Sequence, residues 1–192
     1  QPIPALAAAA AAAVVRFRAE ALAAAADLIN AAREGDTTKI QALLGAGAAI
    51  EAQDNMGSTA LKAASDCGHT AIVQALLGAG ADVKAKGDAA LMCASKKGYT
   101  EIVQALIDAG ADKEAQDTNG FTTLMIASFF GHTETTQALL GVGADVKAQA
   151  KDGKTALICA AQRGHTATVQ ALLAAGAAID AKDDSGATPF GF

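Results

Sequence analysis

The sequence predicts an all-α solenoid of about five helix-turn-helix units joined by hairpin-like loops and preceded by an alanine-rich N-terminal helix. Three observations carry that prediction: glycines recur in register, an aliphatic stripe returns at helical spacing, and Asp and Gly punctuate the gaps. Gly47, Gly80, Gly110, Gly143 and Gly176 are spaced 33, 30, 33 and 33 residues apart, and Gly35, Gly68, Gly98, Gly131 and Gly164 keep the same steps. A period of roughly 20–50 residues marks units that cannot bury their own apolar faces and must stack on their neighbours.

Residues 1–25 read as a leading helix, because Pro2 and Pro4 suit its first turn and the alanines that follow favour its continuation. Residues 26–192 form the repeat domain, with units at 26–58, 59–88, 89–121, 122–154 and 155–187 and a partial unit at 188–192. In the second unit, Leu61 and Ala64 sit at helical spacing and Gly68 ends a short first helix. Its antiparallel partner carries Ile72, Val73, Leu76 and Leu77 on one face and closes on Gly78 and Gly80. The stretches "DNMG", "DTNG", "AKDG" and "DDSG" then supply the turns between helix pairs. The second unit is three residues short, "AQDNMGSTAL" being matched by "AKGDAAL" at 85–91, which predicts a truncated loop tip there.

Composition narrows the function classes. Of 192 residues, 52% are hydrophobic, enough for a packed body, but much of that is alanine and only six residues are Phe. A formal charge of −5 argues against a nucleic-acid partner, since a phosphate backbone needs a basic face. Lys84, Lys86, Lys96 and Lys97 read as a solvated surface cluster. No run reaches the ~18 apolar residues of a membrane span. The three cysteines cannot close a disulfide framework, which fits a cytoplasmic, reducing compartment; export after removal of a signal is the other reading that Gln1 leaves open.

The loop, helix, turn and helix of each unit, with "GADV", "D..G.T" and "GHT..V..LL" in matching slots, resembles the ankyrin repeat over about residues 26–192. The family's T-P-L-H opening appears as "TALK", "AALM", "TTLM" and "TALI", and only Thr188, Pro189 and Phe190 keep the proline. Met92, Met125 and Ile158 are expected to replace the missing imidazole by apolar packing.

No catalytic constellation is legible, and no cofactor is expected. His69, His132 and His165 occupy one repeat slot, after the glycine between the two helices, which points to a structural role. Helices stacked ~8–10 Å apart place them poorly for a shared zinc with bonds of ~2.0–2.1 Å. Cys93 and Cys159 share a slot two units apart and read as core, while Cys67 falls at an exposed position. The "GAGAD" glycines follow helices and act as C-terminal caps, where a phosphate loop would open one.

The resemblance implies a binding module that meets a protein partner with its loop tips and the exposed ends of its first helices. In this chain those slots hold Met56, Ser58 and Asp66, then Lys96 and Lys97. They continue as Asn119, Phe121, Phe129 and Phe130, followed by Lys154, Gln162 and Arg163. Three of the six phenylalanines fall there, and aromatic side chains dominate binding hot spots. An apolar centre at Phe121 and Phe130, flanked by Lys96, Lys97, Lys154 and Arg163, suits an acidic, partly apolar partner. The second reading is a structural subunit that self-associates end to end through the uncovered flank of the fifth unit, after which "TPFGF" begins a sixth helix.

Overall fold

In the computed structural model, residues 3–191 are described, apart from the side chains of residues 3–7, 17–18 and 85–88; Lys86 and the tip of the shortened loop lie outside the described side chains. The described chain is helical, with ten α-helices and no strand longer than an isolated bridge. It divides into two compact bodies, Gln1–Ala81 and Asp82–Phe192.

The N-terminal body holds α1 (Ile3–Glu34), α2 (Thr37–Gly45), α3 (Ala60–Cys67) and α4 (Thr70–Gly78). Among the described side chains of α1, those of the last turns are packed: Ala25, Leu28, Ile29, Ala31 and Ala32 are buried, whereas Val14, Val15 and Leu22 are exposed. Helix α1 packs on α2 and α3, and α2 packs on α4. Within this body the first helix of one unit therefore lies on the first helix of the next, and the second helix on the second.

The C-terminal body repeats this arrangement with α5 (Val83–Lys97), α6 (Thr100–Asp108), α7 (Thr123–Phe129), α8 (Thr133–Gly141), α9 (Ala156–Gln162) and α10 (Thr166–Ala174). Helices α5, α7 and α9 form one layer and α6, α8 and α10 the other, with each pair also packed on itself. Leu106, Leu139 and Leu172, at one slot of the second helices, are fully buried, as are Ala94, Ala127 and Ala160 of the first helices. Small residues at the inner face bring the stacked helices close.

Local chemistry explains the boundaries. Thr59, Thr122 and Thr155 are N-caps whose hydroxyls accept from the N–H groups of Lys62, Met125 and Ile158. In the loops, Asp54 Oδ1 accepts from the N–H groups of Met56 and Ser58 at 2.9 Å each, and Asp117 Oδ1 from Asn119 and Phe121 at 2.8 Å each. These turns shape the hairpin-like fingers; Gln116 and Thr122 form an antiparallel bridge at the base of one.

The shortened unit departs from expectation. A truncated finger does not form; α5 runs continuously from Val83 to Lys97 across the stretch where the finger belongs. Two signals are absent there. The threonine N-cap slot is held by Ala89, and no Asp-x-x-Gly turn precedes it. Without a cap to stop it, the helix extends backward, against only the ~1 kcal/mol that a glycine such as Gly87 costs in a helix.

Of the apolar replacements at the helix openings, Met125 and Ile158 are buried, while Met92 is half-buried. Thr136 is fully buried and its hydroxyl has no partner among the described residues. The same slot holds Val73, Val103 and Val169 in other copies. Thr136→Val is therefore expected to stabilise the protein by about 1 kcal/mol, because it removes a desolvated hydroxyl that makes no hydrogen bond. A denaturation midpoint that fails to rise would place a bonded partner at that hydroxyl.

Candidate interaction surface

The sequence-derived candidates separate into two groups. In the N-terminal body, Met56 stands at a finger tip with 82% of its surface exposed, and Asp66 is exposed at the end of α3. Ser58 departs from expectation. It is buried, because the finger folds back so that its N–H reaches Asp54 and its carbonyl accepts from the Asp54 N–H at 3.0 Å.

The remaining candidates lie in the C-terminal body. Lys96 and Lys97 are exposed at the end of α5, Asn119 at a finger tip, and Gln162 and Arg163 at the end of α9. Phe121 and Phe129 are half-buried and Phe130 is 43% exposed, so neither member of the adjacent pair is absorbed into the core. Their rings meet edge to face at 5.1 Å between centroids. Lys96 Nζ lies 5.7 Å from the Phe130 centroid, and the Arg163 guanidinium lies 4.1 Å from that of Phe129. Both distances lie within cation–π range.

Lys96, Asn119, Phe121, Phe129 and Phe130 converge on one groove of about 390 Å³. Met92, Cys93, Ile126 and Asp117 complete its lining. Met92 and Ile126 were not among the sequence candidates, yet a signal was present. Residues 92 and 93 lie four and three before 96, and residues 129 and 130 lie three and four after 126, so each set shares a helix face. Cys93, expected in the core, is half-buried beside this groove, whereas Cys159 is fully buried and burial pushes its thiol up to about 12. Cys67 is half-buried.

Lys154 is committed elsewhere. Its Nζ pairs with Asp152 Oδ2 at 2.5 Å, and it lines a separate depression of about 480 Å³ with Phe121, Lys151 and Asp184. The pair raises the Lys154 pKa and lowers that of Asp152, in each case chiefly through their shared hydrogen bond. Neighbouring fingers are also joined through their backbones: Lys151 N–H donates to Asn119 O and Asp184 N–H to Asp152 O, each at 3.0 Å. Asn119 and Phe121 are thus mounted on a braced finger.

The histidines show why their slot recurs. His132 Nε2 donates to Lys96 O at 2.9 Å and His165 Nε2 to Phe129 O at 3.1 Å; in the N-terminal body His69 Nε2 reaches Arg33 O at 3.2 Å. Each ring ties its repeat to the end of the preceding first helix and satisfies a terminal carbonyl. Two of the bonded carbonyls belong to Lys96 and Phe129, so these imidazoles also position the surface.

Acid should loosen the fingers. Asp54 is held below its usual value by the Ser58 N–H first and then by the Met56 N–H and Arg33, and Asp183 chiefly by the Ser185 hydroxyl with help from the Ala187 and Ser185 N–H groups. A carboxylate with a lowered folded pKa stabilises the fold above its unfolded value and loses that contribution as pH falls through its folded value. Denaturation midpoints are expected to fall below about pH 4, and Asp54→Asn combined with Asp183→Asn should flatten that fall. An unchanged slope would remove these turns as its source.

A family model described as ankyrin repeats (3 copies) matches residues 28–117 and 124–190. No curated protein matches the chain. Among the described residues, no helix is long and apolar enough to cross a membrane, and no group of three His, Cys, Asp or Glu side chains is placed to hold a metal ion.

Proposed function

The chain belongs to the ankyrin-repeat family, and from that premise we propose that it is a non-catalytic scaffold whose repeat region, residues 26–192, binds a protein partner, with residues 1–25 as a segment outside the repeats. Ankyrin repeats are protein–protein interaction modules. The observation that carries the surface assignment is the edge-to-face pair of half-buried Phe129 and exposed Phe130, with Lys96 and Arg163 over their rings, opening on an apolar groove. Soluble proteins seldom leave adjacent aromatic rings at the surface without use, and aromatic and arginine side chains are the commonest binding anchors.

The geometry refines the composition of that surface. Lys97 supplies a further exposed cation at the end of α5, Asn119 an exposed amide in the groove lining, and Gln162 an exposed amide at the end of α9. Lys154 contributes little attraction, because Asp152 already neutralises it. Met56 and Asp66 are exposed on the N-terminal body and extend the set of varied slots.

The test uses binders selected from a displayed random-peptide library on the full chain. Phe121→Ala with Phe130→Ala is expected to weaken them by more than ~2 kcal/mol, about 30-fold, with the helical circular-dichroism signal unchanged. A library that enriches nothing, or binders indifferent to the double substitution, would remove this surface.

A further inference from the structure

Resting on the reading that this groove meets the partner, we propose that its occupant is an extended segment with one bulky apolar side chain flanked on both sides by carboxylates. The apolar group seats against Phe121, Ile126 and Phe130, and the carboxylates meet Lys96 and Arg163.

Size selects a single anchor. A volume of about 390 Å³ lies near the lower end of ligand pockets, whereas a docked amphipathic helix needs a groove long enough for anchors at i, i+3, i+4 and i+7. The walls named above are apolar, and burial of an apolar side chain there gains from the area removed from water.

Charge selects the flanks. Lys96 and Arg163 stand over different members of the edge-to-face aromatic pair, and among the described residues neither has a carboxylate within ion-pair distance. Each cation is held over a ring, so a carboxylate meets a group that has already given up part of its rotamer freedom. Asp117, the acidic residue of the lining, is turned to its own finger, where Oδ1 accepts the Asn119 and Phe121 N–H groups. Its charge is thereby bound to backbone donors and opposes an acidic segment less. A phosphate polymer fits poorly, since it requires an extended basic track and the chain carries a net charge of −5.

Fluorescein-labelled Gly-Asp-Glu-Phe-Glu-Asp-Gly is the probe, titrated with the full chain by fluorescence polarisation at low and physiological salt. Its affinity should exceed, by at least tenfold, that of the same peptide with alanine at the centre or with lysine at every acidic position. Lys96→Glu with Arg163→Glu, both at exposed positions, should lower binding at least tenfold and reverse its salt dependence, because salt then screens a repulsion, and Phe130→Ala should lower it independently. Failure of the probe to bind, equal binding of either control peptide, or retention of affinity by the charge-reversed chain would overturn the proposal. Library binders of another composition that still depend on Phe121 and Phe130 would sink this inference while sparing the broader one; binders indifferent to both residues sink the two together.

Discussion

Leu106→Ala is expected to destabilise the protein by about 3–4 kcal/mol, the largest single effect we anticipate. Leu106 is fully buried on α6, which packs against both α5 and α8. Its loss removes transfer energy and leaves a cavity that helices braced on two sides cannot close. In the C-terminal body the buried side chains, Ile102, Val103 and Leu106 of α6 among them, are distributed along the stacked helices, so each has few neighbours that can move into a vacancy. A shift of denaturant midpoint at constant slope measures the effect. Leu173→Ala, one residue beyond a buried leucine but 36% exposed, should cost less than about 1 kcal/mol. Equal losses at the two positions would contradict the two-layer packing.

Gly131→Ala should follow closely, at about 3 kcal/mol, from backbone strain together with a steric conflict. Gly131 has φ +74°, and a Cβ there would lie 2.5 Å from His165 Nδ1. The ring cannot retreat freely, because its Nε2 is bonded to Phe129 O. Gly164 supplies the comparison: its φ is +72°, but nothing lies within 4 Å of an added Cβ. Gly164→Ala should therefore show the strain alone, roughly 1–2 kcal/mol. The difference in denaturation midpoint between the two variants reads the inter-repeat contact directly. Gly131→Ala should also disturb binding at the groove, since His165 holds the carbonyl of Phe129; a variant destabilised no more than Gly164→Ala would show that the imidazole yields without loss.

Much of the architecture was legible because its signals are local and repeated. The Thr59, Thr122 and Thr155 caps, the glycines after each first helix and the Asp54 and Asp117 turns act over three or four residues, and five copies in register reinforce one another. The shortened unit departs for the same reason: its deletion is plain in the sequence, but the missing cap at Ala89 removes the local stop signal, and α5 takes the finger's place. The recurrence of the histidine slot points to a structural role, but its bond to a carbonyl 36 residues earlier leaves no trace in neighbouring residues.

The surface was legible as a set of varied slots, and its composition was not. Ser58 and Phe121 hold matching places in the repeat, yet one is buried and the other borders a groove. Lys154 and Arg163 are both cationic in sequence, but Asp152 engages the first while the second lies over Phe129. Met92 and Ile126 resemble ordinary core residues until their helix face is seen to open beneath the finger that carries Phe121.

By itself, then, the amino-acid order determined the helix pairs, their caps and the need for neighbours, because capping, turn formation and amphipathic spacing are short-range properties that each repeat expresses alike. Only the tertiary structure decided which varied side chains converge on the groove and which charges remain available to a partner. Those outcomes depend on stacking, which brings together residues about 33 positions apart and lets each side chain pair, bury or stay exposed according to neighbours that local sequence does not name.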